Sequence, residues 1–193
     1  MDEPFRIPPD EAGMRRADRH ITRASLITLV LAAIAGLAAW LLLPEIFAFP
    51  VQTADRLAFA LVATLPAFLS LAVATMMVST ARRYSARDIG GSAAGPPSTK
   101  LAIKVAFLQN TLEQTVLAAG FFMIYAAILD GSWLSLLPVA AGFFVIGRAL
   151  FYRGYRQGVE GRALGMTLTM VPTILLALIA CGAWLASLVS PAG

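Results

Sequence analysis

Residues 163–193 read ALGMTLTMVPTILLALIACGAWLASLVSPAG, a run of 31 positions without an Asp, Glu, Lys, Arg or His. A hydrocarbon core about 30 Å thick needs about 20 apolar residues in one helix, so this stretch is long enough to cross a bilayer. The charge-free runs 24–44 and 57–81 meet the same requirement. Residues 105–129 are interrupted only by Glu113, and residues 131–147 end at Arg148, beyond which Ala149-Leu150-Phe151-Tyr152 is still apolar. The pattern predicts five helices, near 25–48, 57–82, 101–129, 133–156 and 164–189, in an all-α polytopic membrane bundle.

Composition agrees with this. Of 193 residues, 59% are hydrophobic and 13% charged, and mean hydropathy is +0.76. A soluble domain carries about 25% charged residues because its surface must face water. A soluble enzyme is excluded on that ground, and a disordered chain by the abundance of apolar residues. The first apolar run has 21 uncharged residues, longer than the roughly 7–15 of a secretory signal core, so it is read as a helix.

Five spans place residues 1–24, 83–100 and 157–163 on one side of the membrane. Fourteen of the 15 Lys and Arg residues fall on or next to that side, Arg56 being the exception. Basic flanks are retained in the cytoplasm, so the expectation is an integral, multi-pass protein of a bacterial inner membrane. Its N-terminus would be cytoplasmic and its C-terminus outside. The net charge of +4 is thereby a topology signal, and nucleic-acid binding, which needs a clustered basic face, is not expected.

Residues 1–24, with Pro4, Pro8 and Pro9, are expected to form a cytoplasmic tail running into an interfacial turn. His20, among Arg15, Arg16, Arg19 and Arg23, reads as a solvated flank residue, since a metal site needs converging ligands. Residues 87–98, rich in Gly, Ser and Pro, form a linker that could cover a site at the membrane surface. Asp130-Gly131-Ser132 is a tight turn that sets the third and fourth helices antiparallel. Pro66, Pro138 and Pro172 lie within spans and are expected to kink them. Cys181, the only cysteine, is expected to be buried and inert.

Ionisable groups at membrane depth are costly and face a bundle interior or an aqueous cavity. Gln109-Asn110-Thr111-Leu112-Glu113-Gln114 places Asn110 and Glu113 on one helix face. Glu113, about two and a half turns past Lys104, should find a cationic partner, and Arg148 on the next helix offers one. Arg148, Phe151 and Tyr155 form a stripe. Arg162 returns to it if the helix continues, about 21 Å from Arg148 along the axis. Two readings stand: a structural ion pair that locks the bundle, or a polar pocket in which Arg takes carboxylates and Glu113 takes an ammonium group.

Arg148-Ala149-Leu150-Phe151-Tyr152-Arg153-Gly154-Tyr155, followed by Arg162, resembles the signature of the MAPEG superfamily, the membrane-associated proteins of eicosanoid and glutathione metabolism. Asn110-Thr111-Leu112-Glu113 resembles the Asn-x-x-Glu element of the same superfamily. Ala81-Arg82-Arg83 followed by Gly95-Pro96-Pro97 is similar to the cysteinyl-leukotriene synthase branch. The resemblance spans about 57–190, which makes the helix at 25–48 an addition. It implies a homotrimer of four-helix bundles that binds glutathione as cosubstrate between subunits, near the cytoplasmic face. A lipophilic substrate would enter from the bilayer.

By position, Asn110, Glu113, Arg148 and Tyr155 would contact glutathione, Arg82 or Arg83 would flank it, and Arg162 would be catalytic, stabilising the thiolate. No metal is implied. Ala106 stands where many members carry Arg, Leu108 where some are polar, and Phe151 where several have Tyr or His, with Tyr152 adjacent. The implied function is a glutathione-dependent transferase or peroxidase acting on lipophilic electrophiles. The alternative is a non-catalytic relative that binds a lipid or a partner helix. A small transporter is a third reading, without the internal repeat that would support it.

Overall fold

The computed structural model describes residues 10–189. Pro4, Pro8 and Pro9 of the expected tail and residues 190–193 lie outside them. Among the described residues all regular structure is helical: α1 (Glu11–Leu42), α2 (Thr53–Ala63), α3 (Leu65–Arg83), α4 (Thr99–Ile128), α5 (Leu136–Gly154) and α6 (Gly158–Val189). Four stretches are long and apolar enough to cross a membrane, Glu11–Glu45, Thr53–Arg83, Thr99–Ile128 and Gly131–Val189. The last contains both α5 and α6.

The first helix begins well before residue 25. Asp10 caps it, its carboxylate accepting from Gly13 N at 2.7 Å, and Glu11 pairs with Arg15 one turn on at 3.3 Å. The cap answers one of the free N–H groups of the first turn, and the acidic Glu11 complements the positive end of the helix. Residues 11–24 are therefore helical rather than an interfacial turn. At 1.5 Å per residue α1 is about 48 Å long, well beyond the hydrocarbon core. It ends at Leu42, where Pro44 opens a short 3-10 turn.

The expected second span is two helices, broken at Thr64, whose N–H still reaches Ala60 O and Leu61 O. Pro66, without an N–H to donate, sits just inside α3. Pro138 falls in the first turn of α5, where a missing N–H costs nothing, and so kinks no span. Pro172 lies within α6, which continues to Val189.

α6 packs against α1, α4 and α5, while α3 packs on α4 and α5. α1 runs parallel to α6: Thr28 meets Thr167 in a buried hydroxyl pair at 2.9 Å, and His20 Nε2 lies 3.4 Å from Glu160. His20 is thus half exposed and paired across helices rather than simply solvated. α4 and α5 run antiparallel, as the tight turn at 130–132 requires, with Phe107 against Phe151 at one end and Tyr125 OH donating to Trp133 O at the other.

The main core gathers Phe122, Tyr125, Leu134, Leu137, Phe144 and Leu176. Cys181 is exposed on α6, contrary to the expectation of burial. One residue is 100° of helix, so it points away from the packed face of Leu176 and Ala180. Arg56, the exception to the charge pattern, is buried. It donates to Leu129 O at 3.2 Å and Thr53 Oγ1 at 2.9 Å and pairs with Asp130 at 3.6 Å, tying α2 to the α4–α5 turn.

Candidate functional site

Arg148 is only 2% exposed. Its Nε and Nη2 donate to Thr169 Oγ1 at 3.0 and 2.9 Å, and its Nη1 donates to Asn110 Oδ1 at 2.6 Å. The guanidinium lies 4.7 Å from the Phe151 ring centroid. Desolvating a guanidinium is expensive unless its donors and π-face are answered, and here α4, α5 and α6 each contribute an answering group. Phe151, a departure from the resembled pattern, is the stacking surface of that arginine.

The expected ion pair does not form. Glu113 is exposed on α4 and accepts from Gln109 Nε2 at 3.2 Å, and among the described residues no ion pair joins it to Arg148. Asn110 and Glu113, three apart, differ by only about 60° around the helix, yet Asn110 is partly buried and Glu113 exposed. Asn110 is near enough to α5 to take Arg148, and Glu113 is turned outward.

Arg162 arrives by a route different from a continuing helix. The chain turns at Tyr155–Gln157 and at Gly158, whose φ of 77° favours glycine, and α6 returns along α5. Gly154 then faces Gly161 and Gly165 faces Phe151. This register puts Arg162 level with residue 154, about 9 Å along the axis from Arg148 rather than 21 Å. Its guanidinium lies 4.9 Å from the Tyr155 ring, and Tyr155 meets Phe151 edge-on at 5.6 Å. Arg148, Phe151, Tyr155 and Arg162 therefore form one continuous stack.

Beside Arg148 an apolar groove of about 460 Å³ runs between α3, α4 and α5, walled by Pro66, Val73, Met77, Phe107 and Tyr152. Tyr152 packs on Phe107 at 4.9 Å, and Leu108 packs against the same cluster. Thr169 and Phe107 escaped the sequence reading. A threonine less than two turns along an apolar run carries no signal until its partner helix is known.

Arg82 and Arg83 end α3. Arg82 Nη2 donates to Ser92 Oγ at 3.0 Å, while Arg83 lies 5.7 Å from the Tyr84 ring. The 84–98 loop is organised by Asp88, which accepts from Ser98 Oγ at 2.7 Å, Ser98 N at 2.8 Å and Ser85 Oγ at 2.7 Å. The Ser98 hydroxyl and N–H, then Ser85, hold the Asp88 carboxyl below the usual carboxylate range. A depressed folded value means that the stabilisation is present above the unfolded value of about 3.9 and is lost as pH falls through the folded one. Hydrogen-exchange protection across 84–98 is expected to fall on acidification below about pH 4, and Asp88→Asn to show the weakened protection already at neutral pH. Unchanged protection in both would mean that the loop is held by other contacts.

No curated protein matches the chain. The family model for MAPEG matches residues 58–182, which take in most of α2, all of α3 to α5 and α6 as far as Gly182, and leave α1 outside. With that match covering more than half of the sequence, on an all-helical chain with membrane-spanning stretches, the protein belongs to the MAPEG family.

Proposed function

We propose that this protein is an integral membrane glutathione-dependent transferase or peroxidase acting on lipophilic electrophiles. The observation that carries the reading is the Arg148–Phe151–Tyr155–Arg162 stack beside an apolar groove. It sets cationic and apolar recognition side by side. Glutathione has two carboxylates, one ammonium group and a thiol. The donor set fits it: Arg148 with Asn110 and flanking Arg83 for the carboxylates, Glu113 for the ammonium group, Tyr155 as a contact, and Arg162 for the sulfur.

A free thiol has a pKa near 8.5, and a nearby guanidinium favours the thiolate. Arg162 would hold that anion as its proton passes to water. Bound glutathione would supply the nucleophilic sulfur, whose bond to the electrophilic carbon forms as the leaving group departs with its electron pair or, in an addition, as the π-bond opens onto its far atom and takes up a proton. The groove would exclude water and accept the apolar body of the substrate from the bilayer.

Glu113 and Gln109 supply a second support. Both are exposed on α4, about 13 Å or less beyond Lys104, where a charge facing lipid costs some 2.5–3.5 kcal/mol. A homotrimer that brings a neighbouring copy against this face removes the cost and completes the site. The charge pattern supports a cytoplasmic N-terminus. A cytoplasm-dependent reporter fused after Gly193 should be inactive, and an active one would reverse the orientation.

A specific observation favours the second reading, a non-catalytic binder of a lipid or partner helix. Arg148 already has its partners within its own chain. Calorimetric titration with glutathione separates the two. The enzyme reading expects saturable binding by an oligomer and conjugation of a model electrophile. Arg162→Ala should lower that rate about 10²-fold or more, as losing one preorganised donor to an anion does. Absence of binding by intact trimer would leave the second reading.

A further inference from the structure

A second cavity, of about 300 Å³, lies over the α3–α4 connection and is lined by Arg82, Arg87, Asp88, Ser92, Pro97 and Leu101 among others. It shares no lining residue with the groove beside Arg148. The two also differ in kind: that groove is almost wholly apolar, whereas about half of this wall is polar.

The charge in this region is unbalanced. Residues 82–104 hold Arg82, Arg83, Arg87, Lys100 and Lys104 against a single acid, Asp88. That acid is occupied, since Ser85 and Ser98 take up both of its oxygens. Arg82 is only partly answered. Its Nη2 has Ser92, but its buried Nε has no acceptor, and a buried donor left unmade is costly. Arg82 also follows the charge-free run 57–81, which sets the cavity at the membrane surface. Phosphodiester groups are concentrated there, and basic pockets between helices bind anionic headgroups.

We infer that this cavity is a binding site for a phosphate-bearing anion at the membrane surface, with the guanidinium groups of Arg82 and Arg87, both of which line it, as its principal donors. An Arg fork matches phosphate oxygens, and Asp88 shapes the loop without neutralising them. The inference does not depend on glutathione chemistry, since a chain that binds no glutathione could hold this anion equally well.

The test uses the full-length protein purified in neutral detergent. Phosphatidylglycerol, phosphatidylcholine and inorganic phosphate are titrated separately, with native mass spectrometry and thermal stability as readouts. Phosphatidylglycerol is expected to bind at least tenfold more tightly than phosphatidylcholine. Arg87→Gln should weaken it about ten- to a hundredfold, the effect of losing one charged hydrogen bond, and Arg87→Lys should restore part of the loss. Arg82→Gln should act in the same direction. Arg156→Gln, on the α5–α6 turn, should change little.

Inorganic phosphate that binds alone, and more weakly in Arg87→Gln, supports the site and assigns it to a soluble phosphate. Lipid that is not displaced by phosphate assigns it to a headgroup. Equal affinity for the two lipids with no phosphate binding overturns the inference. So does equal weakening in Arg156→Gln, or displacement of the anion by glutathione one for one. Each variant is compared at matched oligomer size, so that misfolding is not read as lost binding.

Discussion

Arg148→Met is expected to weaken glutathione binding about 30-fold or more while leaving the helical bundle folded. The substitution removes a guanidinium that three helices enclose and leaves a side chain of similar reach. Asn110 Oδ1 loses its donor, whereas Thr169 Oγ1 keeps its bond to Gly165 O at 3.0 Å. The fold therefore loses the three hydrogen bonds that Arg148 donates and leaves one acceptor, Asn110 Oδ1, unanswered at about 1–3 kcal/mol, but it is relieved of a desolvated charge, so the two effects largely offset. Binding has no such compensation. Truncating one partner of a buried charged pair costs about 2–5 kcal/mol, a loss of about 30-fold or more in affinity.

Calorimetry with glutathione, beside thermal unfolding of the same preparation, separates these outcomes. Unchanged affinity in a folded Arg148→Met protein would reduce Arg148 to a clamp between helices and remove the main support for the enzymatic reading. Arg148→Lys should fall between the two, because it keeps the charge but not the fork that spans Asn110 and Thr169.

The second large effect lies in the backbone of the α5–α6 hairpin. Gly165→Ala should destabilise the protein by about 3 kcal/mol or more, at or above the upper end of overpacking costs. A Cβ at Gly165 would overlap the N and Cα of Phe151, and one at Gly154 the backbone of Gly161. Neither neighbour is a side chain that can swing aside, so the helices must separate. Separation would also carry Arg162 away from Tyr155 and Arg148 away from Thr169, so activity should fall with stability. Gly182→Ala is the control, since its Cβ would meet nothing within 4 Å. Equal thermal midpoints for the two variants in detergent would show that the close approach is not essential to the fold.

The glycines illustrate how much of the protein was legible in one dimension. Scarce charge, long uncharged runs and the order of Asn110, Glu113, Arg148, Tyr155 and Arg162 sufficed for a helical membrane protein and for the family. These are properties of composition and spacing, and the cost of placing charge in hydrocarbon constrains them before any contact forms. The start of α1 was obscured because its first residues are charged, and a cap at Asp10 outweighs polarity in setting a helix boundary. Cys181 was misplaced because an apolar run in a membrane marks neither its packed face nor its lipid face.

The sequence by itself determined the medium, the helical class and the polar residue types available at membrane depth. Only the tertiary structure decided which of those residues meet. Arg148 takes Asn110 and Thr169 instead of Glu113, and Arg162 comes within a few turns' reach by a fold-back at Gly158. The reason is geometric: a residue's partners depend on helical phase, at 100° per position, and on hairpin register. Both are set by where α5 and α6 can approach backbone to backbone.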